Sequence, residues 1–171
     1  TRCYANLLGV ENDSKFINEL AEETGKLPAG CNSLLQARAN QLNPSRAWRR
    51  VRGLISAGQT TDAANLAAAL GSPLDSPTGF GAQENSLRDV IGTNAQKFPD
   101  TAAARLQQLL GSLNSEQSGF AWGVLGLAQA KNLNMGSALS YYRNADRNQL
   151  NSEQFEWFAR AALRQQNWAE L

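Results

Sequence analysis

The pentapeptide LNSEQ occurs at residues 113–117 and again at residues 150–154, 37 positions further on. Each copy reads as a helix start. Asn114 and Asn151 are placed as N-caps, whose side-chain oxygens accept a hydrogen bond from the backbone N–H two or three residues on. Gln117 and Gln154, three positions after the cap, can reach back to the cap's own N–H, a variant of the capping box. Glu116 and Glu153 fall at the second helical position, where the positive end of the helix dipole stabilises an acid. In the second copy Leu150 and Phe155 flank the cap as a hydrophobic staple; in the first, Ser118 stands where Phe155 would.

Working outward, the segment NPSRAWRRVRGLISAG, from residue 43, places Ala47, Val51, Leu54 and Ile55 on one stripe of a helix. Asn43 is its expected N-cap and Pro44 its first residue. TTDAANLAAALG follows and stops at Gly71, which completes one helical hairpin. A second is expected from NSLRDVIGTNAQKF, halted by Pro99, and DTAAARLQQLLG, begun by Asp100 and ended by Gly111. The first LNSEQ then opens a third, whose second helix aligns Met135, Ala138, Leu139 and Tyr142. The second LNSEQ opens a fourth.

Trp48, Trp122 and Trp157 hold similar places in the first helices of three of these hairpins. A period of about 35–37 residues filled by two helices and two short turns is the signature of an α-solenoid. The predicted fold is therefore all-α, with helical hairpins stacked in a TPR-like superhelix. Gly119, Gly123 and Gly126 fit it as small residues that let helices approach closely. Residues 1–42 form an N-terminal helical segment and residues 43–171 the solenoid, expected to be truncated because NWAEL begins another helix and stops. The stretch GSPLDSPTGFGAQ at residues 71–83 is read as a surface loop, with a domain boundary as the alternative.

Composition narrows the function. The chain has 171 residues and a formal net charge of +1, from 16 Lys and Arg against 15 Asp and Glu. No global field recruits nucleic acid or an anionic membrane. No apolar run approaches the roughly 20 residues that span a bilayer. There is no histidine, and the two cysteines, Cys3 and Cys31, form no CxxC pair, so the usual zinc sites and histidine-based triads are excluded. No metal and no cofactor is expected. The two cysteines can be read as a bridge, worth about 3 to 4 kcal/mol in the chain-entropy model, or as two buried thiols.

No phosphate-binding GxxxxGK is present. Glu153 and Glu156 sit in or next to a first helical turn, where an acid needs no catalytic explanation. The most suggestive polar feature is RAWRRVR. Arg46, Arg49 and Arg50 share a helix face away from the apolar stripe, either as a solvated surface or as a site for carboxylates or phosphates. Tyr141 is a candidate for stacking on a sugar ring, whereas Tyr142 belongs to the core stripe.

Three strings, LNSEQFEWFARAALRQQNWAEL, AWRRVRGLISAGQTTDAANLAAALG and GKLPAGC, resemble the superhelical region of the periplasmic soluble lytic transglycosylases. The resemblance runs over essentially the whole chain and is strongest at residues 43–70 and from residue 113 onward. It implies a ring or horseshoe of helices carrying a separate lysozyme-like catalytic domain. Such enzymes are bacterial lyases that cleave the bond between N-acetylmuramic acid and N-acetylglucosamine in cell-wall peptidoglycan, giving 1,6-anhydromuramyl products. The family's Glu-Ser pair and Gly-Leu-Met-Gln motif are missing here, so no catalytic residue carries over and the catalytic domain is expected to be absent. The resemblance further implies a Cys3–Cys31 disulfide and a periplasmic location, free or associated with the outer membrane. Its implied partners are glycan strands, the catalytic domain and other cell-wall proteins. The expected function is thus a non-catalytic scaffold within an enzyme; a helical-repeat adaptor for a protein partner is the alternative.

Overall fold

The computed structural model describes residues 2–23 and 26–170. Gly25, which opens the GKLPAGC string, and Leu171 lie outside the described residues. Every element among the described residues is helical. In chain order they are α1 (Arg2–Leu7), α2 (Ser14–Glu22), α3 (Ala29–Ala37), α4 (Pro44–Ser56), α5 (Thr60–Ala69), α6 (Phe80–Ser86), α7 (Arg88–Ile91), α8 (Pro99–Leu109), α9 (Ser115–Lys131), α10 (Met135–Asn144) and α11 (Ser152–Arg164), with short 3-10 turns between some of them. Contacts divide the chain into two compact units, residues 1–85 and 86–171.

In the first unit, α4 starts as its sequence dictates. Asn43 Oδ1 accepts from the N–H of Arg46 and Pro44 occupies the first turn. Ala47, Val51, Leu54 and Ile55 are all buried. After the left-handed Gly58, α5 folds back on α4 and buries Ala63, Leu66 and Ala67. The N-terminal residues belong to this same unit: α2 packs on α4, and α3 packs on both α1 and α5. Cys3 in α1 and Cys31 in α3 are joined by a disulfide.

The loop after Gly71 is shorter than its composition suggests. It ends at the left-handed Gly79, and Phe80 begins α6 with its ring edge-on to Trp48 at 4.8 Å between centroids. Gly81 lies so close to the carbonyls of Ser72 and Pro73 that no side chain fits there. The helix expected over NSLRDVIGTNAQKF is not continuous. It is split into the end of α6, the four residues of α7 and a 3-10 turn at Ala95–Lys97. The first break falls at Leu87 and the second at Gly92, whose backbone is extended and lies over the Arg88 carbonyl. Likewise α8 begins at Pro99 rather than at Asp100 and passes into a 3-10 turn before Ser112.

The second unit is organised around α9, which packs against α7, α8, α10 and α11. Both capping boxes are formed. Asn114 accepts from Gln117 N while Gln117 Oε1 accepts from Asn114 N, each at 2.9 Å. Asn151 and Gln154 do the same at 2.8 and 2.9 Å. The three glycines of α9 receive neighbours as expected: an added Cβ would lie 2.5 Å from Asp146 Cβ at Gly119, 2.6 Å from a Leu150 methyl at Gly123 and 3.0 Å from the Tyr142 ring at Gly126. Met135, Ala138, Leu139 and Tyr142 are buried with Leu150, Phe158, Ala161 and Ala162 in one apolar cluster. Phe155 is outside that cluster, 44% exposed, so of the two staple residues Leu150 is drawn into the core and Phe155 remains at the surface.

Candidate functional site

The three arginines proposed as a basic face are not gathered on one open surface, because α2 lies across that side of α4. Arg50 is 3% exposed and its Nη1 donates to the carbonyl of Glu23, at the C-cap of α2. A guanidinium at that position satisfies an orphan carbonyl and meets the negative end of the helix dipole. Burial pushes Arg50 below the ordinary arginine range, and the charges of Asp62 and Glu23 oppose that shift. Arg49 is half-buried. Arg46 alone is well exposed, and its Nε pairs with Glu22 at 2.8 Å.

Arg46 lines an open groove of about 740 Å³ between α2 and the start of α4. Two hydrogen bonds hold its walls together: Asn18 Nδ2 donates to the Gln41 carbonyl at 3.0 Å, and Asn43 N donates to Asn18 Oδ1 at 2.7 Å. Lys15 and Glu19 stand on the α2 side, 3.8 Å apart. The groove therefore carries two cations against two acids, with amide side chains between them. Such a surface suits a neutral ligand rich in hydroxyl and amide groups better than an anion, whose charge Glu19 and Glu22 would repel.

The α2 side begins at Asp13, which caps α2 by accepting from Phe16 N at 3.0 Å and also meets Arg2 at 2.6 Å. The Phe16 N–H holds the Asp13 carboxyl below the ordinary aspartate range against the opposing effect of burial, with Arg2 adding to the lowering. Sequence reasoning had identified Arg46 but not Lys15, Asn18, Glu19 or Glu22. The available signal was helical spacing, since residues 15, 18, 19 and 22 recur at i, i+3, i+4 and i+7 opposite the buried Ile17, Leu20 and Ala21.

In the second unit, Tyr141 is engaged within the fold. Its ring tilts against Trp122 at 5.3 Å and its hydroxyl donates to Asp100 Oδ1 at 2.9 Å. The same oxygen accepts from Gln129, which is fully buried and in turn accepts from Asn134. Burial, with the Asp100 carboxylate beside it, pushes Tyr141 above the ordinary tyrosine range. Glu153 pairs with Lys131 at 2.7 Å and Glu156 with Arg160 at 3.6 Å, all four side chains at least half exposed. Neither acid occupies the apolar pocket that general-acid chemistry requires. A second concavity of about 400 Å³ is lined by Leu133, Met135, Trp157, Arg160, Leu163 and Arg164. Among the described residues no group of His, Cys, Asp and Glu side chains could hold a metal ion, and no helix is long and apolar enough to cross a membrane.

In comparisons with known proteins the chain matches no family model and no curated relative.

Proposed function

We propose that this chain is part of the helical scaffold of a soluble lytic transglycosylase and that it holds glycan without cleaving it. The scaffold is an α-solenoid of the second-unit type of hairpin, in a periplasmic enzyme that acts on peptidoglycan. Support for the family comes from the three quoted strings, and support for the repeat comes from two identical capping boxes 37 residues apart. The observation that carries the binding role is the α2–α4 groove, where the exposed Arg46, Lys15, Glu19 and Glu22 offer donors and acceptors with balanced charge. Glycan strands present hydroxyls and acetamides, which such a surface can bind through many weak hydrogen bonds.

Cosedimentation of the 171-residue chain with purified cell-wall sacculi tests the proposal. The parent chain is expected in the pellet, and Lys15→Ala with Arg46→Ala is expected to reduce the bound fraction several-fold. Both residues are exposed, so helicity measured by circular dichroism should not change. Undiminished binding by the double variant would remove the groove from the account, and release of anhydromuropeptides by the parent chain would refute the non-catalytic reading.

A further inference from the structure

Helix α1 has six residues, far below the roughly 12–15 that an isolated helix needs. Among them only Cys3 and Asn6 are buried, at 4% and 0% exposure. Cys3 is bonded to Cys31 of α3, 28 positions on, and this bond ties α1 covalently to α3. Beside it the Tyr4 ring lies over Gly30, and Arg38 at the end of α3 donates to the Asn6 carbonyl at 3.4 Å.

Asn6 passes the placement of α1 on to α2. Its Oδ1 accepts from the Asp13 N–H at 3.0 Å, and its Nδ2 donates to Glu11 Oε2 and to the Arg2 carbonyl, both at 3.1 Å. The connecting segment is wound back on α1 as well, since the N–H groups of Val10 and Glu11 both donate to the Ala5 carbonyl. Arg2 reaches across the same junction, 2.6 Å from Asp13 Oδ2 and 4.3 Å from the centre of the Phe16 ring. Two residues of α1 thus hold Asp13 while its Oδ1 caps the first turn of α2. That turn carries Ser14 and Lys15 of the groove wall, and Ile17, Leu20 and Ala21 anchor the rest of α2 in the core.

We propose that the Cys3–Cys31 disulfide is a redox-sensitive clasp on the α2–α4 groove. A dithiol cuts it by exchange: the dithiol's two sulfurs join in a new disulfide, and its two electrons and two protons pass to the Sγ atoms of Cys3 and Cys31. Without the bond, α1 opens at lower cost than the rest of the first unit, as a short helix with little buried apolar surface does. Asp13 then loses its supports, the first turn of α2 frays and Lys15 leaves the groove wall. Residues from Ile17 onward stay packed, so the groove is loosened rather than dismantled. The consequence for a bound glycan rests on the reading of the groove given above; the fraying of α2 does not.

Amide hydrogen exchange followed by NMR tests the clasp, comparing the oxidised 171-residue chain with the same chain fully reduced by dithiothreitol. On reduction the amides of Asp13 and Phe16 should exchange about tenfold faster, whereas those of Val51 and Leu54 in α4 should change by less than about threefold. Asn6→Ala keeps the bond and cuts the link to α2, so in that variant reduction should accelerate Phe16 by no more than about twofold. The sacculus-bound fraction of the parent should fall several-fold on reduction, and Cys3→Ser with Cys31→Ser should match the reduced parent with no reductant present. Equal acceleration in α2 and α4, a Phe16 amide unchanged by reduction, or an Asn6→Ala chain that responds like the parent would overturn the clasp. An oxidised chain that never binds sacculi refutes the glycan reading instead, and the exchange comparison still decides the clasp. Binding that is unchanged by reduction would overturn its control of the groove.

Discussion

Glutamine in place of Glu84 is expected to destabilise the first unit by about 3–5 kcal/mol, although it changes neither shape nor volume appreciably. Arg52 Nη1 and Glu84 Oε1 are 2.6 Å apart, and both side chains are 0% exposed. With Glu84→Gln the guanidinium keeps its charge and loses the carboxylate opposite it, and removing one partner of a buried ion pair costs about 3–5 kcal/mol. For a cooperative unit of 60–100 residues each kcal/mol lowers Tm by roughly 4–8 °C, so a fall of roughly 15–30 °C is expected. Urea and thermal unfolding followed by circular dichroism measure the loss, and hydrogen exchange of the α4 amides localises it. Replacing both partners, Arg52→Met with Glu84→Leu, removes both charges and should recover stability to within about 2 kcal/mol of the parent. A Glu84→Gln chain within 1 kcal/mol of the parent, or a double variant as unstable as the single one, would refute this electrostatic reasoning.

Other residues allow shorter tests. Gly119→Ala should lower stability by about 1–3 kcal/mol in urea titrations, even though alanine is the better helix former, because the new methyl would meet the backbone of Asp146 at 2.8 Å. Asn114→Ala and Asn151→Ala should each cost about 0.5–2 kcal/mol by the same measurement, with Asn→Ser at either cap close to neutral. Tyr142 is 2% exposed, and its hydroxyl has no hydrogen-bond partner among the described residues, so Tyr142→Phe should be neutral or stabilising by about 1 kcal/mol. Burial, with the nearby charge of Glu153, raises the ionisation of Tyr142 above the usual tyrosine value. The folded state therefore keeps this proton more tightly than the unfolded chain. Stability from it is complete below about pH 10 and declines as pH rises beyond, and alkaline unfolding should be shallower in Tyr142→Phe.

The hairpins at α4–α5 and α9–α10 and the start of α11 were legible because their information is local. A cap, the residue three positions on, a period near 3.6 and a terminal glycine all act within one or two turns, and the neighbourhood of LNSEQ supplies them. The same local rules failed between Gly79 and Pro99. There α6 exists because Phe80 finds Trp48 and Glu84 finds Arg52, 32 residues away in sequence, and these partners have no local signature.

The arginines of RAWRRVR show the division most clearly. Their spacing placed Arg46, Arg49 and Arg50 on a shared side of a helix, and no periodicity reveals what lies against that side. With α2 packed there, one side chain serves as a helix cap, one is half-buried and one faces a groove. By itself, then, the sequence determined where helices begin, where many of them end and which stripe each one buries, since hydrogen bonds to nearby N–H groups and helical periodicity depend only on neighbours along the chain. Only the tertiary structure decided which polar residues are spent inside the fold and which remain exposed, because the burial of a charge depends on what other helices bring to it.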